Sequence, residues 1–448
     1  MKARPFLFLF LTLLLSAPGF AAGLDGPDIW TARRAIEFAR KNNPDSQQAT
    51  QRILQAEAML QQAEVGFYPQ LELTGRYSQT NNPMYSFGNI LNQGEFSPGI
   101  DFNNPGRTDN LDLGVGVQYR LYNGGRDMAQ KEAARAGIDL SAAESEAVLL
   151  RLEFKLFQSV QRILASRKVI ETRLKALKAI SSSLAVARSR FEAGDLLKSD
   201  LLNLEVEQSQ ATENLVQAQH DLEMAKRVFL TLLGLPGDGL RIEIEEGESP
   251  VLPTEPDSAQ RPEMKKLTAA LQAAESRLAA ARGSRLPTVD GFARYNYDQG
   301  TVLDGDGDSW IAGVNLNFKL FDGHQSAADI ALAEARLGEV RAEKKKLELA
   351  LGLELSQAEL ALNLARERLK VSQKMVEQAA ESERLTKARF DAGVLLTSEL
   401  IDSEKRLTDA RVGNALATSA VAVAIADLRR AAGLPLFGES DSQVSLEK

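Results

Sequence analysis

Two thirteen-residue stretches, Arg190 to Leu202 (RFEAGDLLKSDLL) and Arg389 to Ile401 (RFDAGVLLTSELI), are one element written twice, 199 positions apart. In each, an Ala-rich helical run leads to a Gly (Gly194, Gly393), and a Ser followed by an acid (Ser199-Asp200, Ser398-Glu399) heads the next helical run. Gly relieves the cost of a left-handed helix cap, and Ser or an acid near a helix start accepts orphan amide protons. Each stretch predicts a tight helix-turn-helix. At the same offset, Tyr119-Arg120-Leu121-Tyr122-Asn123-Gly124 aligns with Phe318-Lys319-Leu320-Phe321-Asp322-Gly323, and Leu233-Gly234-Leu235-Pro236 with Ala432-Gly433-Leu434-Pro435. Upstream the offset is 218, pairing Pro44 with Pro262 and Pro69 with Pro287. An internal repeat outranks any local signal. The chain is two copies of one unit of roughly 200 residues, with a 19-residue excess in the first copy between Pro69 and Tyr119 that marks a surface loop.

Within each copy the hydrophobic period changes in the same order. Trp30 to about Val65 has a helical pattern, broken at Asn43-Pro44. After Pro69, Leu71, Leu73, Gly75 and Tyr77 alternate with Gln70, Glu72, Thr74 and Arg76, the two-residue period of a strand. Residues 79–110, rich in Asn, Gly, Pro and Ser, predict a loop; Leu111 to Leu121 then alternate as a second strand. From Arg126 to Pro236 there is no other proline, and Arg126 to Glu192 is long enough for a helix of about 100 Å. Leu156, Ile163, Ile170 and Leu177 recur every seven residues, as do Leu355, Leu362, Leu369 and Val376 in copy two, predicting coiled-coil packing. A return helix spans about Lys198 to Leu233. Copy two repeats the order: a helix from Glu263 to Arg282, a strand after Pro287, a loop around Asp304, a strand with Trp310, Ala312, Val314, Leu316, Phe318 and Leu320 on one face, a long helix to Asp391 and a return helix to about Ala432.

The domain reading is a signal peptide over 1–22, a first repeat over 23–234, an acidic Pro-rich linker over 235–262, a second repeat over 263–436 and a polar, disordered tail over 437–448. Lys2 and Arg4, the apolar run Phe6 to Leu15 and the small residues ending at Ala22 give the n-region, h-region and cut site of an exported protein. The run is too short for a membrane anchor, and no other segment approaches 18 consecutive apolar residues. With no Cys there are no disulfides and no thiol chemistry, and a net charge of -8 gives no basic footprint for nucleic acid. Aromatics at 6% and much Ala, Leu, Glu and Gln fit long helices in thin layers.

Four strands, each with one apolar and one polar face, match a membrane barrel with lipid outside and a lumen inside. Four cannot close alone, so protomers must share a barrel. The fold class is mainly α with a transmembrane β part: duplicated long-helix hairpins, with each protomer giving four strands to a shared transmembrane β-barrel. Tyr77, Tyr119, Tyr295 and Trp310, with Tyr68, Tyr122, Tyr297 and Phe321, read as an aromatic girdle at the lipid headgroups, or as ordinary strand aromatics.

The order of elements, the R-[FY]-x-x-G tips (Arg190 to Gly194, Arg389 to Gly393) and the G-L-P near the end of each copy resemble the TolC family of outer-membrane efflux and secretion channels over nearly the whole exported chain. The resemblance implies a homotrimer with a twelve-stranded outer-membrane barrel and a twelve-helix periplasmic tunnel. It implies docking to a periplasmic adaptor protein and an inner-membrane transporter, and no catalysis or cofactor. It places an acidic constriction just past the second-copy Gly, matched here by Glu399 and Asp402, with Asp200 the weaker equivalent in copy one. Three residues apart on a helix, Glu399 and Asp402 share a face; read from spacing alone they are also a dipole-favoured N-terminal acid and a solvated charge. Leu395 stands where some members carry an Arg that locks the closed tip. Arg190, Gly194, Arg389 and Gly393 are candidates for adaptor docking, with turn chemistry the plain reading of the glycines.

The rival reading is a periplasmic coiled-coil adaptor protein, which would carry one hairpin between soluble β domains. Asp304-Gly305-Asp306-Gly307-Asp308 has calcium-loop acids but Ser309 where Gly is needed and Asn315 where a bidentate Glu is needed, so it reads as a polar hairpin tip. His220 and His324 are the only histidines and lie far apart, so no metal site is expected. Neither a Walker A motif nor a nucleophile elbow occurs, and no enzyme is expected.

Overall fold

The computed structural model describes residues 29–236, 242–254 and 256–437. The expected signal peptide and the tail beyond residue 437 lie outside the described residues. A short strand β1 (Ile29–Trp30) leads to α1 (Ala32–Asn42) and α2 (Pro44–Glu64). The Asn43 side chain accepts from the amides of Asp45 at 2.7 Å and Ser46 at 3.3 Å, and Pro44 occupies the first turn, so one chain break caps the second helix. Then come β2 (Gln70–Thr80), α3 (Pro83–Asn92), β3 (Thr108–Tyr122), α4 (Arg126–Glu192) and α5 (Lys198–Leu233). The linker holds β4 (Glu243–Ile244), and α6 (Pro262–Gly283), β5 (Thr288–Gln299), β6 (Asp306–Asn317), α7 (Gln325–Asp391) and α8 (Thr397–Ala431) complete the second copy. At 67 residues each, α4 and α7 are about 100 Å long.

The four longer strands form one antiparallel sheet in the order β2-β3-β5-β6. Its register aligns the two-residue period across the whole sheet: Leu73, Val115, Tyr295 and Trp310 fall in one row and Leu71, Val117, Ala293 and Ala312 in the next. Leu71, Leu73, Trp310, Val314 and Leu316 on this apolar face are each more than 60% exposed, so no helix covers it. The opposite face carries Glu72, Thr74, Asp112, Arg294 and Asn296, tied by Arg294 donating to Thr74 Oγ1 and Asn296 Oδ1 at 2.7 Å each.

Three local expectations are corrected. Residues 79–110 are not simply a loop, since their ends extend β2 and β3 and the middle forms α3. Asn82 accepts from the Met84 amide at 3.1 Å and Pro83 sits in the first turn, a helix start embedded in turn-rich sequence. The C-terminal end of α3 folds over the polar face, where Gln93 Nε2 donates to Asp109 O at 2.7 Å and Asn110 Oδ1 at 2.9 Å. Phe318 and Leu320 lie beyond β6, which stops at Asn317 because its partner β5 begins opposite it at Thr288. Third, α8 is long and apolar enough to qualify as a membrane span by length and composition, although no 18-residue apolar run marks it. Its Ala-rich stretch packs instead along α7, through Ala424, Leu428 and Ala431 against Ala358, Leu362 and Ala365.

The largest core lies midway along α4. Leu152, Leu156, Phe157, Val160 and Ile163 are buried under Trp30, Ala35, Phe229, Leu233, Ile244, Ala426 and Leu436, drawn from both ends of the described chain, both return helices and the linker. Each such side chain contributes about 1.5–3 kcal/mol. The belt is fastened by β1 pairing with β4 and by Arg167 Nη1 donating to Ile244 O at 2.6 Å. At its second-copy side, buried Arg261 bonds Glu263 at 2.9 Å and Glu354 at 2.5 Å, and Arg430 bonds Glu354 at 2.6 Å and Asp427 at 2.7 Å. Burial alone would raise the carboxyls of Glu263 and Glu354, yet the arginines outweigh it and hold both below the ordinary range. Replacing Arg261 by Met should cost about 3–5 kcal/mol, because two carboxylates lose their shared partner. Thermal unfolding checks this, and the deficit should shrink toward acid pH as those carboxylates are protonated.

The flanks of the protomer are unfinished. Only six of the 67 residues of α7 are buried, against sixteen in the equally long α4. Leu353, Leu360, Leu364, Val371 and Met375 of α7 stand exposed at alternating spacings of seven and four, an apolar stripe of eleven-residue period without a partner helix. On the other flank Val206, Val216, Met224 and Val228 of α5 are exposed as well, and β2 and β6 are free sheet edges.

Candidate functional site at the hairpin tips

Both tips close in the same way. The Gly194 amide donates to Phe191 O at 3.0 Å and Asp195 to Arg190 O at 2.8 Å; Gly393 donates to Phe390 O at 2.9 Å and Val394 to Arg389 O at 3.1 Å. With φ of +85° and +79°, the two glycines make the left-handed end of a Schellman cap. The start of the return helices differs from expectation. The capping positions are Leu197 and Leu396, with no side-chain cap bond, so Ser199 and Ser398 lie inside the first turn instead of accepting its orphan amides.

The two hairpins clasp each other. Leu184, Ala187, Leu201 and Leu204 of the first form one buried cluster with Phe390 and Leu400 of the second, flanked by Phe191, Leu196, Leu395 and Ile401. Leu395 therefore belongs to an apolar closure. Arg190 Nη1 donates to Phe390 O at 2.9 Å, and its guanidinium lies 5.5 Å from the centre of the Phe390 ring. Arg190 also covers Gly393, where a Cβ would come within 2.6 Å of Nη2. Arg190 is thus engaged within the protomer, whereas Arg389 and Gly194 face solvent.

Glu399 and Asp402 are both exposed, and among the described residues neither has a hydrogen bond or ion pair. Glu399 lies in the first turn of α8, as Asp200 lies, half-buried, in that of α5. One turn further along α8 comes a residue that the sequence reading passed over. Glu404 is buried at 5% exposure and accepts from Ser183 Oγ of α4 at 3.3 Å, while its second oxygen has no partner. Burial pushes its carboxyl up to about 7; Lys387 and the Ser183 bond oppose the shift, and Glu383 and Glu207 add to it. The signal was present: Glu404 occupies the i+4 position between Leu400 and Leu407, on the buried stripe of an amphipathic helix.

At the far end of the molecule, Tyr77, Tyr119, Tyr295 and Trp310 share the apolar face in three register rows. Tyr77 lies opposite Leu111, Tyr295 and Trp310 in the row of Val115, and Tyr119 four residues further toward α4. Asp304, with φ of +60°, helps turn β5 into β6. Among the described residues no group of three or more His, Cys, Asp or Glu is placed to hold a metal ion.

A family model described as "Outer membrane efflux protein" matches residues 35–235 and 258–434. The chain is 26% identical over 415 residues to Protein CyaE of Bordetella pertussis, spanning 89% of this chain and 83% of CyaE. It is 24% identical over 346 residues to the outer membrane efflux protein BepC of Brucella suis, spanning 74% of this chain and 70% of BepC. Among solved structures, the outer membrane protein VceC of Vibrio cholerae superposes with a TM-score of 0.77 at 18% identity, covering 90% of this chain and 96% of VceC.

Proposed function

The chain belongs to the outer membrane efflux protein family, and on that premise we propose that its hairpin tips form the gated periplasmic end of a trimeric exit duct. The protein is an outer-membrane channel of an efflux or type I secretion system, extending into the periplasm and working with a periplasmic adaptor and an inner-membrane transporter. One observation carries the duct reading: the sheet is apolar on one face, polar on the other and unpaired at both edges, and it continues into 67-residue helices whose outer flank is an unpartnered apolar stripe. Backbone groups at a sheet edge cannot be left open in lipid, so neighbouring copies supply the missing partners.

In this reading Glu399 and Asp402 face the axis of the trimer, with Asp200 at its margin, and six carboxylates on α8 repel anions and gather cations. Arg389, Gly194 and Gly393 are the surface the adaptor meets; Arg190 supports it from below by holding Phe390. Tyr77 marks the outer headgroup level and Tyr119 the inner one, with Tyr295 and Trp310 on the lipid-facing side between them. The adaptor reading has less support, since two hairpins share one sheet that has an uncovered apolar face.

Fractionation and reconstitution test the proposal together. The full chain should resist release by osmotic shock, require detergent for extraction, and form ion-conducting channels in planar bilayers. Recovery as a soluble periplasmic species would sink the duct reading.

A further inference from the structure

Glu404 takes no part in the ring of acids, yet it is the most unusual carboxyl in the described residues. It lies against a partly open cleft of about 220 Å³ between α4, α5 and α8, lined in part by Arg173, Glu207, Asn214, Lys405 and Asp409. One of its oxygens is held only by Ser183, which is itself 1% exposed, and the other has no protein partner. A buried carboxylate with one neutral hydrogen bond is costly, and the group escapes that cost by carrying a proton.

We propose that Glu404 is a proton-operated latch between the two hairpins, holding α8 of the second against α4 of the first while protonated and releasing it when ionised. The inference rests on the channel reading above and assigns that channel a control residue. The contact is placed to act on the tip. Among the described residues, Ser183 with Glu404 and Arg190 with Phe390 are the hydrogen bonds that join the hairpins around the apolar clasp of Leu184, Leu204 and Leu400.

The charged neighbours set the sign. From α7, Glu383 repels an ionised Glu404 and Lys387 attracts it; from α5, Glu207 repels it. Arg173 of α4 is turned to Asp409 of α8, at 3.8 Å, and Lys405 of α8 is exposed. The one cation that favours ionisation is therefore opposed by two acids and by burial. A carboxyl that is harder to ionise in the clasped tip than in water favours the clasp at low pH. The preference falls as pH rises above the ordinary carboxylate range and is spent near neutrality, by at most about tenfold per pH unit for a single proton.

The test uses the full-length protein in planar bilayers, with the pH on the tip side varied from 5 to 8. Wild-type openings should become more frequent as pH rises, by about tenfold or more across the range. Glu404→Gln, a neutral mimic of the protonated acid, should stay near the low-pH behaviour throughout, which separates the latch from titration of Glu399 and Asp402. Glu207→Gln removes one repelling charge and should keep the response while moving its midpoint to lower pH. A wild-type channel indifferent to pH, or a Glu404→Gln channel that responds like wild type, overturns the latch alone. If Glu404→Gln does not assemble, an unmoved midpoint in Glu207→Gln overturns it equally. Failure of the wild type to form any channel overturns the duct reading itself.

Discussion

Replacing Gly124 with Ala should abolish assembly of the protein, with a loss of about 3 kcal/mol or more. Gly124 sits where β3 turns into α4, at φ of +73°, and a Cβ there would collide with the carbonyl oxygen of Gly283 and approach Leu286 Cβ to 2.9 Å. The left-handed backbone alone costs an L-residue about 1–2 kcal/mol. Overpacking against atoms that cannot rotate away adds about 1–3 kcal/mol. Gly283 ends α6, so the collision would separate the two copies at the junction of sheet and helices. The neighbour Gly125 supplies the control. Its φ is +76°, but a Cβ there would meet nothing within 4 Å. Gly125→Ala should therefore show only the backbone cost and still assemble. Heat-stable oligomer on gels and thermal unfolding distinguish the two variants; equal behaviour would mean that close packing at this junction is not what the sequence needs glycine for.

The second large effect is expected from Glu399→Gln combined with Asp402→Asn. If six carboxylates line the tip, neutralising them should weaken block by a divalent cation at least about tenfold, since charges a few ångströms apart in water still interact by about 1 kcal/mol each. Selectivity for cations should fall in the same recordings. Because both side chains are exposed and unpaired, the fold should be untouched, with unfolding unchanged within about 0.5 kcal/mol. Asp200→Asn alone should have a smaller effect, as the half-buried member of the set. Unaltered block and selectivity in the double variant would remove these acids from the constriction.

Much of the architecture was legible because its signals are periodic. The 199-residue offset placed α4 and α7, and the runs Arg126 to Glu192 and Lys198 to Leu233 coincide with the helices found. The alternation of Leu71, Leu73 and Tyr77 with Glu72, Thr74 and Arg76 foretold two faces, and the register gathers four such strands into one sheet. Where the signal was a short motif, it misled. Ser199 and Ser398 looked like caps, but leucines hold those positions because Leu196 and Leu395 are drawn into the tip cluster. The Asn- and Gly-rich stretch hid α3, whose C-terminal end is fixed by bonds from Asn89 and Gln93 to β3.

By itself the sequence determined the duplication, the two periods, the lengths of the long helices and the acids past Gly393, because each of these is set by the order of residues along one element. The tertiary structure decided what those elements do to one another. Whether Arg190 points to a partner or inward depends on Phe390, 200 residues away, and whether Glu404 is one more helix charge or a buried acid depends on Ser183 of another hairpin. Periodicity tells which face of a helix is apolar; only packing tells what that face meets, and burial then sets the chemistry of whatever charge is caught between.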